Sequence, residues 1–126
     1  MTPKFYKCKS CGQFIAIVDK KECPVKCCGE PMEEIIANTV DAAKEKHVPV
    51  VTIEGNIVNV AIGSVEHPMT EAHLIEWVCL ETGKGMQRKA LTAADKPAVS
   101  FALTADDKAV AVYAYCNLHG LWKADC

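Results

Sequence analysis

The sequence has no excess of basic charge: 14 Lys and Arg against 16 Asp and Glu give a formal net charge of −2. A general field for nucleic acid or an anionic bilayer is therefore missing, and any attraction of an anion must be local. The opening "MTPKFYKCKSCG" lacks an apolar stretch behind a basic leader, so no secretory signal is expected. No apolar run approaches the ~20 residues of a membrane span. Internal repeats and low-complexity tracts are absent, and histidine is missing before position 47. What remains is a 126-residue chain, 50% apolar and 24% charged, of globular composition. A cytoplasmic protein that engages neither nucleic acid nor membrane is the expectation.

Against these absences stand eight cysteines, five of them between Cys8 and Cys28. Without an export signal, closely spaced thiols point to a metal rather than to disulfides. The four histidines all lie at or beyond His47. Two separate sites follow from that uneven distribution.

The grammar of the chain changes near residue 38. Over residues 1–37, "FYKCKSCGQFIAIV" reads as strand, cysteine-bearing turn with Gly12, and strand. "KKECPVKCCGEPM" adds a second turn, marked by Pro24, Gly29 and Pro31. So short a segment cannot bury enough apolar surface to hold itself together without a metal, a disulfide or a partner. Over residues 38–126, "NTVDAAKEKH" predicts a turn or two of helix capped by Asn38 or Thr39. The runs "VPVVTIE", "NIVNVAIG", "HLIEWVCLE", "GMQRKALT", "AVSFALT" and "AVAVYAYC" then read as strands. Turn signals separate several of them: Gly55-Asn56, Thr82-Gly83-Lys84-Gly85 and Ala105-Asp106-Asp107-Lys108. Short strands at this density predict an antiparallel, immunoglobulin-like β-sandwich and an all-β protein. Alternation places Val110, Val112 and Ala114 on one face with Cys116, and it breaks down around Trp77.

Cys8 and Cys11 form a CxxC turn, and Cys27 and Cys28 are adjacent. Four thiolates suit tetrahedral zinc or iron, and their number does not separate a structural zinc knuckle from a one-electron iron centre. Neighbouring side chains diverge on an extended backbone, so the vicinal pair predicts a distorted tetrahedron. Cys23 is a competing ligand, although the Cys27-Cys28 pair fits better with the CxxC. The histidines sit in "KEKHVP", "EHPM", "EAHLIEW" and "CNLHG", all beside strand ends. Such histidines are usually surface or satisfied core residues. If His47, His67, His73, His119 and Cys116 converge, they make five protein ligands, one too many for tetrahedral zinc. Four imidazoles with one thiolate opposite an open position form a square pyramid, which suits a redox-active iron.

Taken together, "YKCKSCG", "VKCCGEPM", "NTVDAAKEKHVPV", "EHPM", "HLIEW" and "YCNLHGLWKA" resemble, in order and along essentially the whole chain, the two-centre superoxide reductases called desulfoferrodoxins. The resemblance implies a small desulforedoxin- or rubredoxin-like FeS4 knuckle held by Cys8, Cys11, Cys27 and Cys28. It implies an immunoglobulin-like domain binding a second iron through His47, His67, His73, His119 and Cys116. It further implies one-electron reduction of superoxide to hydrogen peroxide, a rubredoxin-like electron donor and a homodimer. By the same resemblance Lys46 attracts superoxide and orders water for proton delivery, and Glu45 occupies the sixth position of oxidised iron. Cys23, Cys79 and Cys126 match no ligand position of the family and read as core or surface thiols. Three other functions stay open at this point: an electron shuttle, a zinc-bearing interaction module and a dismutase.

Overall fold

A computed structural model describes every residue except Met1, Lys20 and Glu22, so two positions at the start of "KKECPVKCCGEPM" lie outside the described residues. The chain divides into two compact units, Met1–Ile36 and Ala37–Cys126. In the first, β1 (Lys4–Lys7) is the centre of a three-stranded antiparallel sheet, flanked by β2 (Phe14–Ile17) and β5 (Glu33–Ile35). A separate ribbon pairs β3 (Lys26–Cys27) with β4 (Glu30–Pro31). Its two-residue turn is Cys28-Gly29, with φ of 54° and 78°. Two consecutive positive φ values are the signature of a type I′ hairpin turn.

The second unit opens with a single helical turn, α1 (Lys44–His47). The expected cap is not used. Ala43 occupies the N-cap position without a side-chain bond. Asn38, at φ 62°, instead exchanges hydrogen bonds with the backbone of Lys123, its Oδ1 accepting from Lys123 N at 2.9 Å. An Asx residue tolerates the left-handed region and here ties the chain to a strand rather than starting a helix.

Seven strands follow: β6 (Pro49–Glu54), β7 (Ile57–Ile62), β8 (Ile75–Thr82), β9 (Met86–Ala90), β10 (Ala98–Ala102), β11 (Ala109–Cys116) and β12 (Gly120–Asp125). They form two antiparallel sheets, ordered β10-β7-β6 and β12-β11-β8-β9. This is the predicted sandwich. Val58, Val60, Ile62 and Phe101 of one sheet pack against Ile75, Val78, Leu80, Val112, Ala114 and Cys116 of the other. Gly55-Asn56 closes the β6–β7 hairpin, with Gly55 at φ 62°.

Two departures from simple alternation have physical causes. Strands β8 and β11 are the inner strands of their sheet and are buried on both faces over most of their length, so they read as nearly continuous apolar runs. That is why the pattern near Trp77 is irregular. Val110 is 38% exposed, unlike Val112 and Ala114, because the β11–β8 register shifts between Ala109 and Ala111.

Candidate metal centres

The first unit gathers Cys8, Cys11, Cys27 and Cys28, whose sulfurs all lie within 4.8 Å of one another. Both Cys8 and Cys11 come from the tight turn after β1, closed by Gly12 N–H donating to Cys8 O at 2.9 Å, with Gly12 at φ 80°. The vicinal pair does not diverge as an extended backbone would require. Cys28 sits in the left-handed region, and its sulfur lies 4.0 Å from that of Cys27. The Cys11 to Cys27 sulfur separation is 3.6 Å. A tetrahedral ion with bonds of about 2.3 Å needs edges of about 3.8 Å, so these spacings fit. Cys23 stands outside the cluster, exposed, with its sulfur 3.9 Å from Pro24 O.

Without a cation Cys8, Cys27 and Cys28 resist joint ionisation. The Cys11 backbone N–H brings the Cys8 thiol down to about 6. Hydrogen-bonding to Cys11 and Cys8 drives Cys27 up to about 12, and the same neighbours raise Cys28. One thiolate is stabilised at the expense of the next. A bound metal ion removes that conflict.

The second cluster is built from four segments of the sandwich. His47 ends α1, and its Nδ1 bonds the Ala43 carbonyl at 2.6 Å, so Nε2 faces inward. His67 follows β7. Its backbone N–H donates to Ile62 O at 3.0 Å and its Nδ1 bonds Pro68 O at 2.7 Å, again leaving Nε2 inward. His73 is held by a bridge to Thr70, and His119 by the turn between β11 and β12. The four ring centroids run around a quadrilateral of edges 4.8, 4.7, 5.0 and 4.9 Å, in the order His47, His67, His73, His119. The His47–His73 diagonal is 6.5 Å, against about 6.9 Å for a square of that edge.

His47 Nε2 lies 3.1 Å from His119 Nδ1, and right-angled bonds of about 2.1 Å put neighbouring donors about 3.0 Å apart. Cys116 Sγ, fully buried, is 3.8 Å from His119 Nδ1. Its donor atom and those of His47, His67 and His73 lie within 4.8 Å of one another. His67 Nε2 and His73 Nε2 are buried without a hydrogen-bond partner among the described residues. Each such orphan costs about 1–3 kcal/mol unless something accepts its lone pair. Burial also holds His67 down to about 4 and lowers His47 and His73, which keeps the rings neutral and able to ligate near pH 7. Burial pushes the Cys116 thiol up, so its thiolate form needs a cation beside it.

Lys46 and Glu45 are exposed on α1, and the Lys46 charge contributes to the lowering at both His47 and His73. The Glu45 carbonyl accepts from Val65 N at 2.8 Å and Ser64 Oγ at 3.3 Å. Gly63 makes this packing possible. A Cβ there would meet the Glu45 carbonyl oxygen and lie 2.7 Å from the Lys46 carbonyl carbon.

Sequence patterns alone do not mark several supports. Trp122 stacks on His47 at 5.0 Å and donates from Nε1 to His119 O at 3.0 Å. Asn117 bonds the backbone on either side of His73. Ala43 and Pro68 act through carbonyls, which no side-chain motif announces. Cys79 is buried, with its thiol 3.8 Å from Met86 Sδ, and Cys126 is exposed.

The family model described as Desulfoferrodoxin matches residues 39–125. The desulfoferrodoxin of Clostridium acetobutylicum is 46% identical over 120 residues, covering 95% of this chain and 94% of its own. This chain belongs to the desulfoferrodoxin family. Its two donor sets, one of four cysteines and one of four histidines with a cysteine, are those of a two-iron desulfoferrodoxin. Among solved structures, the superoxide reductase from Treponema pallidum superposes with a TM-score of 0.84 at 43% identity, covering 99% of this chain and 100% of that one. The one-iron (1Fe) superoxide reductase from Giardia intestinalis matches at a TM-score of 0.57 and 33% identity, covering 66% of this chain and 98% of that one.

Proposed function

We infer that this desulfoferrodoxin is a superoxide reductase, and one observation carries the reading. The donor atoms of His47, His67, His73 and Cys116 lie within 4.8 Å of one another, and His119 Nδ1 lies 3.1 Å from His47 Nε2 and 3.8 Å from Cys116 Sγ, with the sulfur side buried and the His73 and His119 side partly exposed. The donor count exceeds what zinc requires, and an electron shuttle gains nothing from an open face. His47, His67, His73, His119 and Cys116 would hold an iron ion there, which would supply the one electron that, with two protons, turns superoxide into hydrogen peroxide.

The chain's own residues do the rest. Superoxide is an anion meeting a protein of formal charge −2, so a local cation raises its concentration at the mouth. Lys46, exposed next to His47, is the proposed steering charge and organiser of the water that delivers protons. Glu45, on the same turn, is the proposed carboxylate ligand of the oxidised ion. The closed surround of Cys116 keeps water from its sulfur and would strengthen its electrostatic interaction with an ion held there.

Residues 1–37 make up the proposed FeS4 domain and residues 38–126 the proposed reductase domain. The FeS4 centre is auxiliary in this reading. A rubredoxin-like protein is the proposed electron donor and a homodimer the proposed assembly. Exposed thiols among the knuckle ligands favour a reducing compartment, and the cytoplasm is the proposed location. Among the described residues no helix is long and apolar enough to cross a membrane.

Metal analysis with anaerobic product analysis under a superoxide flux tests the function. The expected result is iron-loaded protein and one peroxide per superoxide, with reductant consumed. Colourless zinc protein, or oxygen evolved alongside peroxide, contradicts it.

A further inference from the structure

Regular pairing between β11 and β8 runs out beside the second metal centre, and a side chain takes over. Tyr115 pairs with Trp77, but Cys116 pairs with Ile75, leaving Glu76 as the extra residue of a bulge. Bulges re-aim side chains near functional sites. Here the shift seats apolar Ile75 in the core opposite Cys116, where regular pairing would have placed Glu76. One step further, Asn117 N–H donates to Leu74 O at 3.2 Å. The return bond of that rung does not go to a backbone carbonyl. Leu74 N–H donates instead to Asn117 Oδ1 at 3.0 Å, while Asn117 Nδ2 donates to Ala72 O at 3.0 Å.

The Asn117 amide therefore stands in for the main-chain carbonyl that an antiparallel rung would supply. The backbone is released from the strand at that point and turns through Leu118, which brings His119 Nδ1 to 3.8 Å from Cys116 Sγ. The far end of the clamp grips Ala72 and Leu74, the two residues that flank His73. One side chain thus ties the Cys116 turn to the His73 turn.

We propose that Asn117 is a positioning residue that sets His73 against Cys116 and, through that spacing, the bond between Cys116 and the metal. The proposal rests on the reading of these side chains as ligands of one iron. Only asparagine fits both partners at this reach. Aspartate keeps the acceptor for Leu74 N–H but sets a carboxylate against Ala72 O; alanine loses both bonds; glutamine adds a methylene. Groups that orient metal ligands typically change metal affinity or activity by about 10–100-fold when removed.

The test compares iron-loaded, oxidised parent protein with Asn117→Ala and Asn117→Asp. Two quantities are read: the visible thiolate-to-iron absorption of the second centre, assigned by its loss in Cys116→Ser, and the rate of iron release to a chelator. The FeS4 absorption of the same molecule is the internal reference. Expected for Asn117→Ala are a displaced band and release of the second iron about tenfold faster, at the low end of that range. Asn117→Asp falls between it and the parent, and the FeS4 band stays put in both. Parent-like band and release rate in the variants, even with lowered melting temperature, make Asn117 a merely stabilising residue and overturn the proposal. Should the alanine variant fail to fold, the aspartate variant alone decides between the same two outcomes. A parent protein with no band sensitive to Cys116→Ser overturns the ligand reading itself, and the proposal with it.

Discussion

The two metal centres are made in opposite ways. In the first unit, three of the four cysteines are at least partly exposed on two tight turns, and among the described residues Pro3, Phe5, Cys8 and Met32 are its buried side chains. Little apolar burial is available there to offset about 1–2 kcal/mol of backbone entropy per residue. In the second unit the donors hang from the ends of a seven-stranded sandwich with its own core. His47 and His67 are each held by a carbonyl at the ring nitrogen facing away from the cluster. The metal organises the knuckle, whereas the sandwich organises the metal.

Removing both irons with a chelator should separate the behaviour of the two units most visibly. Amide exchange protection is expected to collapse across residues 1–36 and to persist in β8 and β11. Equal loss of protection in both units would erase the distinction. Cys116→Ser comes next. Peroxide production should fall by more than about a hundredfold, beyond what losing a group that only orients a ligand costs, while the knuckle keeps its colour. A normal second-centre spectrum in that variant removes Cys116 from the ligand set. Gly63→Ala probes the sandwich's preorganisation. Pushing the Glu45–Lys46 backbone off its seat should cost about 1–3 kcal/mol in denaturant unfolding of the second unit, with no change in the knuckle. Lys46→Ala should be gentlest, lowering the second-order rate with superoxide by about tenfold and flattening its dependence on ionic strength. An unchanged rate at every salt concentration would take the steering role from Lys46.

The same contrast explains what can be read from the sequence. Donors in the knuckle are neighbours along the chain, so "CKSC" and "KCCG" reveal them directly. The geometry of the vicinal pair is not legible there, because it depends on Cys28 entering the left-handed region under the pull of a type I′ turn. Gly29 is the available signal, since such turns favour glycine at their second central position. In the sandwich the strands and most turn residues are legible from short apolar runs and glycine punctuation. The pattern misplaces the helix cap because Asn38 finds backbone partners at Lys123, 85 residues away. Alternation assigns Val110 to the core because a bulge leaves no trace in an alternating pattern. Supports such as Trp122 and the Ala43 carbonyl depend on three-dimensional neighbours, and local patterning carries no information about them.

Both halves of the contrast require one iron shared by His47, His67, His73, His119 and Cys116, apart from the iron of the four cysteines. Anomalous diffraction at the iron edge from crystals of the iron-loaded protein tests it most directly. Two peaks per chain are expected, one inside the cysteine knuckle and one within bonding distance of all five of these side chains. A second peak that leaves Cys116 or two of the imidazoles unbonded, or no second peak at all, would contradict it.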